Sequence, residues 1–170
     1  MRSVIVLNGP IGVGKTTLGR LLARELGGAF IDSDDLRDPA KRWLDEVLSL
    51  TNALVRAGME ALAGSPALVV AMPLRPRDWV LLRARFRAEG VATFCVTLAA
   101  DEGAIQAPAR GRAFSAVERD RIAEMIAQGY AARPFSDLVV RTDCAGVAET
   151  LSRLRDGCRS LLRRVSSDCA

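Results

Sequence analysis

Gly9-Pro10-Ile11-Gly12-Val13-Gly14-Lys15-Thr16 has the spacing G-x-x-x-x-G-K-[ST], the phosphate-binding P-loop. Ahead of it, Val4-Ile5-Val6-Leu7 is an apolar run of β type. Behind it, the segment from Thr17 to Leu26 is patterned as a helix and stops at Gly27-Gly28. Strand, loop and helix in that order is what the motif requires. The glycines let backbone N–H groups curve around a polyphosphate, and the helix N-terminus adds its positive end. Gly9, Gly12, Val13, Gly14, Lys15, Thr16 and Thr17 are therefore the expected nucleotide-binding residues. Lys15 is expected to reach the β- and γ-phosphates of ATP, and the Thr16 hydroxyl to ligate Mg²⁺.

Phe30-Ile31-Asp32-Ser33-Asp34-Asp35-Leu36 closes a second strand-like run. In a doubly wound sheet the C-terminal strand edge is where ligands bind. Strand alternation places Asp32 and Asp34 on one face, roughly 6.5–7 Å apart. One carboxylate then approaches the Mg²⁺ shell near Thr16, and the next faces an acceptor. The chain contains no histidine, which excludes a Ser-His-Asp triad, a Cys–His pair and His-ligated metals. A proton acceptor is then a carboxylate or a less usual group, and Asp34 is the natural one, with Asp32 assigned to the metal. The competing reading is that these acidic residues, Asp35 included, cap the helix that follows.

These residues need a scaffold, and the pattern supplies one. Strand-like segments 3–8, 29–32, 67–72, 92–99 and 138–142 alternate with helical segments 15–26, 40–63, 77–89, 102–107, 116–128 and 147–164. Such alternation with short loops predicts an α/β fold, a parallel sheet with helices on both faces. Leu44, Val47, Leu48, Thr51, Leu54, Val55, Gly58 and Leu62 are the expected inner face of the second helix. Pro76 and Asp78 suit the start of the third helix and Gly90 its end. Ser115-x-x-Glu118 is a capping box. The last helix is expected to bury Leu151, Leu154, Cys158, Leu161 and Leu162, leaving Arg153, Arg155, Arg159, Arg163 and Arg164 as a solvated basic face.

A chain of 170 residues with 49% hydrophobic residues predicts one domain spanning 1–170 with a real core. Its longest apolar runs are too short to cross a membrane, and the first leads directly into the phosphate loop. Cytoplasm is the expected location, with no membrane partner. The net charge of +4 suits phosphorylated ligands but is too small to argue for nucleic acid. Cys95, Cys144, Cys158 and Cys169 show no C-x-x-C spacing, so neither a zinc site nor a redox pair is expected.

The loop at 9–16 followed by Phe30-Ile31-Asp32-Ser33-Asp34 resembles the shikimate kinase and gluconate kinase branch of P-loop small-molecule kinases. Residues 67–75 read like the gluconate form. Arg133-Pro134-Phe135, then residues 137–143 and the final helix, resemble the C-terminal part of shikimate kinases. Ala71-Met72-Pro73 stands where shikimate kinases carry Gly-Gly-Gly. Chloramphenicol phosphotransferases and tunicamycin-resistance ATP-binding proteins are further relatives of similar size.

The resemblance implies a three-layer P-loop fold with a five-stranded parallel sheet in the order 2-3-1-4-5. It also implies a lid, about 108–116, whose Arg110 and Arg112 close over ATP. A flexible solvated loop is the other reading of Arg110-Gly111-Arg112. The same comparison places Asp32 near Mg²⁺, Asp34 at the acceptor hydroxyl and Arg133 at acceptor or phosphate. The reading that results is a monomeric or weakly dimeric ATP- and Mg²⁺-dependent kinase acting on a hydroxyl of a small molecule. Lys15, Asp34, Arg110, Arg112 and Arg133 are its catalytic set. Arg75 and Arg77, with Asp34 and Arg133, are its substrate-selecting residues. Trp43 and Met72 form an apolar wall, with a core role as the other reading of Trp43. The alternatives are an ATP-binding switch or resistance protein without productive transfer and, ranked last because aromatics are sparse, a nucleic-acid end kinase.

Overall fold

The computed structural model describes residues 2–37, 43–108 and 111–167. The chain runs β1 (Ser3–Asn8), α1 (Lys15–Glu25), β2 (Ala29–Asp32), a 3-10 helix (Ser33–Leu36), α2 (Trp43–Ala63), β3 (Ala67–Ala71), α3 (Pro76–Ala88), β4 (Ala92–Ala99), α4 (Glu102–Gln106), α5 (Ala116–Ala127), β5 (Leu138–Arg141) and α6 (Val147–Ser167). The strands form one parallel sheet in the order β2-β3-β1-β4-β5, as the resemblance implies.

Strand alternation builds two cores. On β1, Ile5 and Leu7 join Leu18 and Leu22 of α1 and Leu154 and Cys158 of α6 on one face of the sheet. Val4 and Val6 join Leu50 and Leu54 of α2 and Leu82 and Phe86 of α3 on the other. A central strand buried on both faces has no polar side, which is why its sequence reads as an unbroken apolar run. Asn8 ends that run and is fully buried.

Element ends differ from the sequence expectation by a residue or a few. β3 stops at Ala71, although Met72 N–H still donates to Leu7 O at 3.1 Å; Pro73 has no N–H to continue the ladder. α3 begins one residue early, at Pro76, whose fixed φ suits a first helical position. α6 extends to Ser167. Residues 40–42 of the expected second helix lie outside the described residues.

The inner face of α2 needs correcting. Leu50 is buried, while Leu48, expected inside, is half exposed. Six helical residues separate Leu48 from the buried Leu54, which turns it about 120° away. The capping box at the start of α5 forms as expected: Glu118 N–H donates to Ser115 Oγ at 3.2 Å, and Ser115 N–H to Glu118 Oε2 at 2.9 Å. Of the four cysteines, Cys95 and Cys158 are buried and Cys144 is exposed; Cys169 lies outside the described residues. Burial pushes the Cys95 and Cys158 thiols up to about 12, so they act as small apolar side chains.

Candidate active site

The loop between β1 and α1 leaves the C-terminal edge of the sheet. Gly9 takes φ 143° and Gly12 φ 77°. Added side chains would also collide. A Cβ at Gly9 would lie 2.4 Å from Leu98 O, and one at Gly12 only 2.6 Å from the Phe114 ring. These positions need glycine for conformation and for room. Beside the loop lies a cavity of 710 Å³. Gly12, Val13, Gly14, Lys15, Thr16 and Thr17 line it on one side; Thr142, Gly146 and Thr150, from β5 to α6, line it on the other.

Lys15 Nζ donates to Gly9 O at 2.9 Å and to Pro10 O at 2.8 Å, folding back over its own loop. Burial pulls its ammonium down to about 8; Arg112 pushes the same way, and the Asp34 and Asp32 carboxylates oppose it. Thr16 Oγ1 donates to Asp32 Oδ2 at 2.8 Å. A hydroxyl and a carboxylate are hard oxygen donors of the type Mg²⁺ takes. Among the described residues no cluster of three or more His, Cys, Asp or Glu makes a protein cage. That donor set fits Mg²⁺, which keeps several waters and shares its shell with phosphates, rather than a metal that demands a full protein site.

The acidic pair is built differently from the strand alternation expected. β2 ends at Asp32, and the next residues turn into the 3-10 helix. Asp32 Oδ1 accepts Asp34 N–H at 3.2 Å as the cap of that helix, while Oδ2 faces Thr16. The capping and metal-site readings therefore use different oxygens of one carboxylate. Asp34 is exposed and borders two cavities: the nucleotide-side one and a second of 470 Å³. Ile11, Asp34 and Pro73 line both. Asp35 is exposed and lines neither.

The arginines divide. Arg112 lines the first cavity, 4.8 Å over the Phe114 ring, with Nη2 on Glu118 Oε1 at 2.9 Å. Glu118 thus caps α5 and steadies Arg112; the Ser115 backbone N–H and Arg112 together hold its carboxyl below the usual range. Arg110 lies outside the described residues, as does the side chain of Trp43. Arg75 and Met72 line the second cavity. Arg77 lines neither, its Nε 3.8 Å from Asp78 Oδ1. Arg133 also lines neither cavity. Its Nε donates to Leu74 O at 3.0 Å and its Nη1 to Gln128 O at 2.8 Å, with the guanidinium 4.0 Å over Tyr130. The structure uses it to clamp the loop after α5 onto the loop after β3.

Several site residues were not singled out by sequence. Asn8 Nδ2 donates to Thr97 Oγ1 at 2.9 Å and to Tyr130 O at 3.0 Å, and Leu74 N–H donates to Asn8 Oδ1 at 2.9 Å. Thr97 Oγ1 in turn sits 2.6 Å from Ser136 Oγ. This buried network ties the residue before the phosphate loop to both loops that wall the second cavity. A polar residue closing an apolar strand was the available signal. Asp78, which also lines that cavity, carried only a helix-start signal. Asp143 anchors the far wall: burial disfavours its charge, but Arg141 and the Asp101 backbone N–H outweigh that and hold it at about 2.

Sheet order, phosphate loop and paired oxygen donors define a P-loop nucleotide-binding protein. The sequence profile of the AAA domain family matches residues 4–131, and the chain belongs to that family. A shikimate kinase from Psychrobacter cryohalolentis is 63% identical over 30 residues, 18% of this chain and 16% of that one. The chain thus matches about a sixth of that curated relative's length. Among solved structures, a gluconokinase from Sinorhizobium meliloti 1021 superimposes with TM-score 0.75 at 20% identity, covering 99% of this chain and 98% of that one. The tunicamycin resistance protein of Deinococcus radiodurans superimposes with TM-score 0.59 at 20% identity, covering 90% and 93%. Among the described residues no helix is long and apolar enough to cross a membrane.

Proposed function

We propose that the chain is a kinase that transfers the γ-phosphoryl group of ATP to a hydroxyl of a small molecule. The observation that carries this reading is the shared boundary of the two cavities. One holds the phosphate loop, Lys15, Thr16 and Asp32; the other is walled by residues unlike a nucleotide site; Asp34 stands between them. A protein that only binds nucleotide has no need of a second cavity opening beside the γ-phosphate end of the first.

In this reading Gly12, Val13, Gly14 and Thr17 receive the phosphates through the loop and the start of α1. Lys15 exchanges its two carbonyl partners for phosphate oxygens. Thr16 and Asp32 hold Mg²⁺, which when bound neutralises charge on the β- and γ-phosphates. Arg112 adds charge from the segment before α5, and residues 108–116 act as a lid. Asp34 orients the acceptor hydroxyl and takes its proton at a carboxylate oxygen. Arg75 contributes to acceptor selection. The walls at Thr142, Gly146 and Thr150 take the nucleoside end. The shikimate kinase and gluconokinase likenesses support a hydroxylated metabolite as acceptor.

The test is phosphoryl transfer from labelled ATP to a panel of hydroxylated metabolites, sugar acids and antibiotics, with Lys15→Ala as the control. The expected result is transfer to at least one compound by the wild type and none by Lys15→Ala. Mg·ATP binding without transfer to any compound would overturn the kinase reading.

A further inference from the structure

Asp78 sits in the first turn of α3, almost completely buried. One of its oxygens is explained. Oδ2 accepts the Arg75 backbone N–H at 3.2 Å and Arg75 Nε at 2.8 Å, which closes the turn and balances the charge. The other is not. Oδ1 is buried and accepts no hydrogen bond among the described residues. Arg77 Nε is 3.8 Å away, an ion-pair separation rather than a hydrogen bond. Native proteins keep few buried polar atoms unpaired, and each calls for a reason. Capping does not supply one, because it needs a single oxygen, and an amide side chain would serve it without burying a charge.

The position supplies one. Asp78 and Arg75 line the second cavity, and Asp34 lies on its boundary with the nucleotide cavity. We propose that Asp78 is a specificity-determining residue of the acceptor site. Its Oδ1 accepts a hydrogen bond from a second hydroxyl or an amine of the acceptor while the reacting hydroxyl stands at Asp34. The acceptor class is then a polyfunctional alcohol, a polyol or amino alcohol, and a molecule with one isolated hydroxyl is a poor substrate. The cavity, at 470 Å³, is of a size for such a molecule. A site built to accept a hydrogen bond rejects the analogue lacking the donor, because the carboxylate oxygen then stays unpaired. This inference rests on the kinase reading above for the identity of the cavity.

The experiment uses the full chain with saturating Mg·ATP and four probes: D-gluconate, shikimate, D-sorbitol and 1-amino-1-deoxy-D-sorbitol, each beside its monodeoxy analogues. For a compound that is phosphorylated, kcat/KM should fall about 10- to 100-fold in the analogue lacking the group that reaches Asp78, the usual worth of a hydrogen bond to a charged group. Asp78→Asn should erase that preference, since its amide can still accept at the cap but presents a donor where an acceptor is needed. Its Mg·ATP affinity should match the wild type, because Asp78 lines the second cavity and not the nucleotide one. The hydroxyl and amine arms separate the two donor classes. A preference that survives in Asp78→Asn overturns the proposal. Should that variant lose its circular dichroism, Asp78→Glu is read in its place and must alter the preference. Should no compound be phosphorylated while Mg·ATP binds, the kinase reading falls, and Asp78 is judged by binding alone. In that case a probe must stabilise the wild type against heat more than it does Asp78→Asn, and equal shifts or none overturn the proposal.

Discussion

At the residue scale, Lys15 couples nucleotide binding to pH. Its folded pKa of about 8 lies below its ordinary value of 10.5 because burial penalises the charge. Between those two values the unfolded chain holds a proton that the folded, empty protein lacks, so this residue makes stability rise with pH across that window. Bound phosphates favour the charged form, so nucleotide binding above pH 8 takes up a proton. Mg·ATP affinity should hold steady up to about pH 7.5 and then weaken, approaching roughly tenfold per pH unit above 8. Calorimetry across pH 6.5–9.5 checks this, and a flat profile would contradict it. Asp34 and Asp32 differ in surroundings, and their variants should differ accordingly. Asp34→Asn should keep Mg·ATP binding and lower transfer by about 10²–10⁴-fold, the typical contribution of a positioned base. Asp32→Asn should mainly raise the Mg²⁺ concentration needed, because its carboxylate faces Thr16 and does not line the second cavity. A Mg²⁺ titration of both variants separates the two roles.

At the element scale, one buried amide ties three parts of the site to one another. Asn8 links β1 to β4 through Thr97, to the loop after β3 through Leu74, and to the loop after α5 through Tyr130. Asn8→Ala would leave a backbone N–H and a backbone carbonyl buried without those partners. We expect it to destabilise the protein by about 2–6 kcal/mol, two buried groups left unpaired at about 1–3 kcal/mol each. Urea unfolding measures this, and a loss under 1 kcal/mol, near the value of one ordinary hydrogen bond, would show that the network is dispensable. Arg133 belongs to the same scale: it clamps two loops through backbone carbonyls, so its effect on catalysis would run through the shape of the second cavity.

At the scale of the whole molecule, the two cores are joined through a single sheet, and the nucleotide cavity opens along its C-terminal edge. The segment entering α5 lies over that opening. Phe114 packs on Gly12 and Ile105, and Arg112 is steadied by Glu118. Arg119 Nη1 also donates to Phe114 O at 2.6 Å, but residues 111–114 take part in no strand or helix, and segments that gate a site come from such lightly held regions. Hydrogen exchange at amides 111–114 should slow severalfold when a non-hydrolysable ATP analogue binds, while strand amides stay unchanged. Equal exchange with and without the analogue would remove the lid from the mechanism.

Local features were legible in the sequence because they depend on neighbours a few residues away. The phosphate loop, the capping box at Ser115 and Glu118, and the buried strands all follow from spacing and side-chain type. The sheet order came through resemblance rather than periodicity, since alternation alone does not rank strands. What only the tertiary structure decided is what distant segments do to one another. The turn after Asp32 broke the alternation that would have paired it with Asp34. Arg133 and Arg77, charged residues close to the site in sequence, were drawn to other partners. Asn8 and Asp78 gained their roles from groups 66 and 122 residues away in the one case and from a cavity in the other. A hydrogen bond is satisfied by whatever the fold brings within about 3 Å, and spacing along a chain carries no record of that.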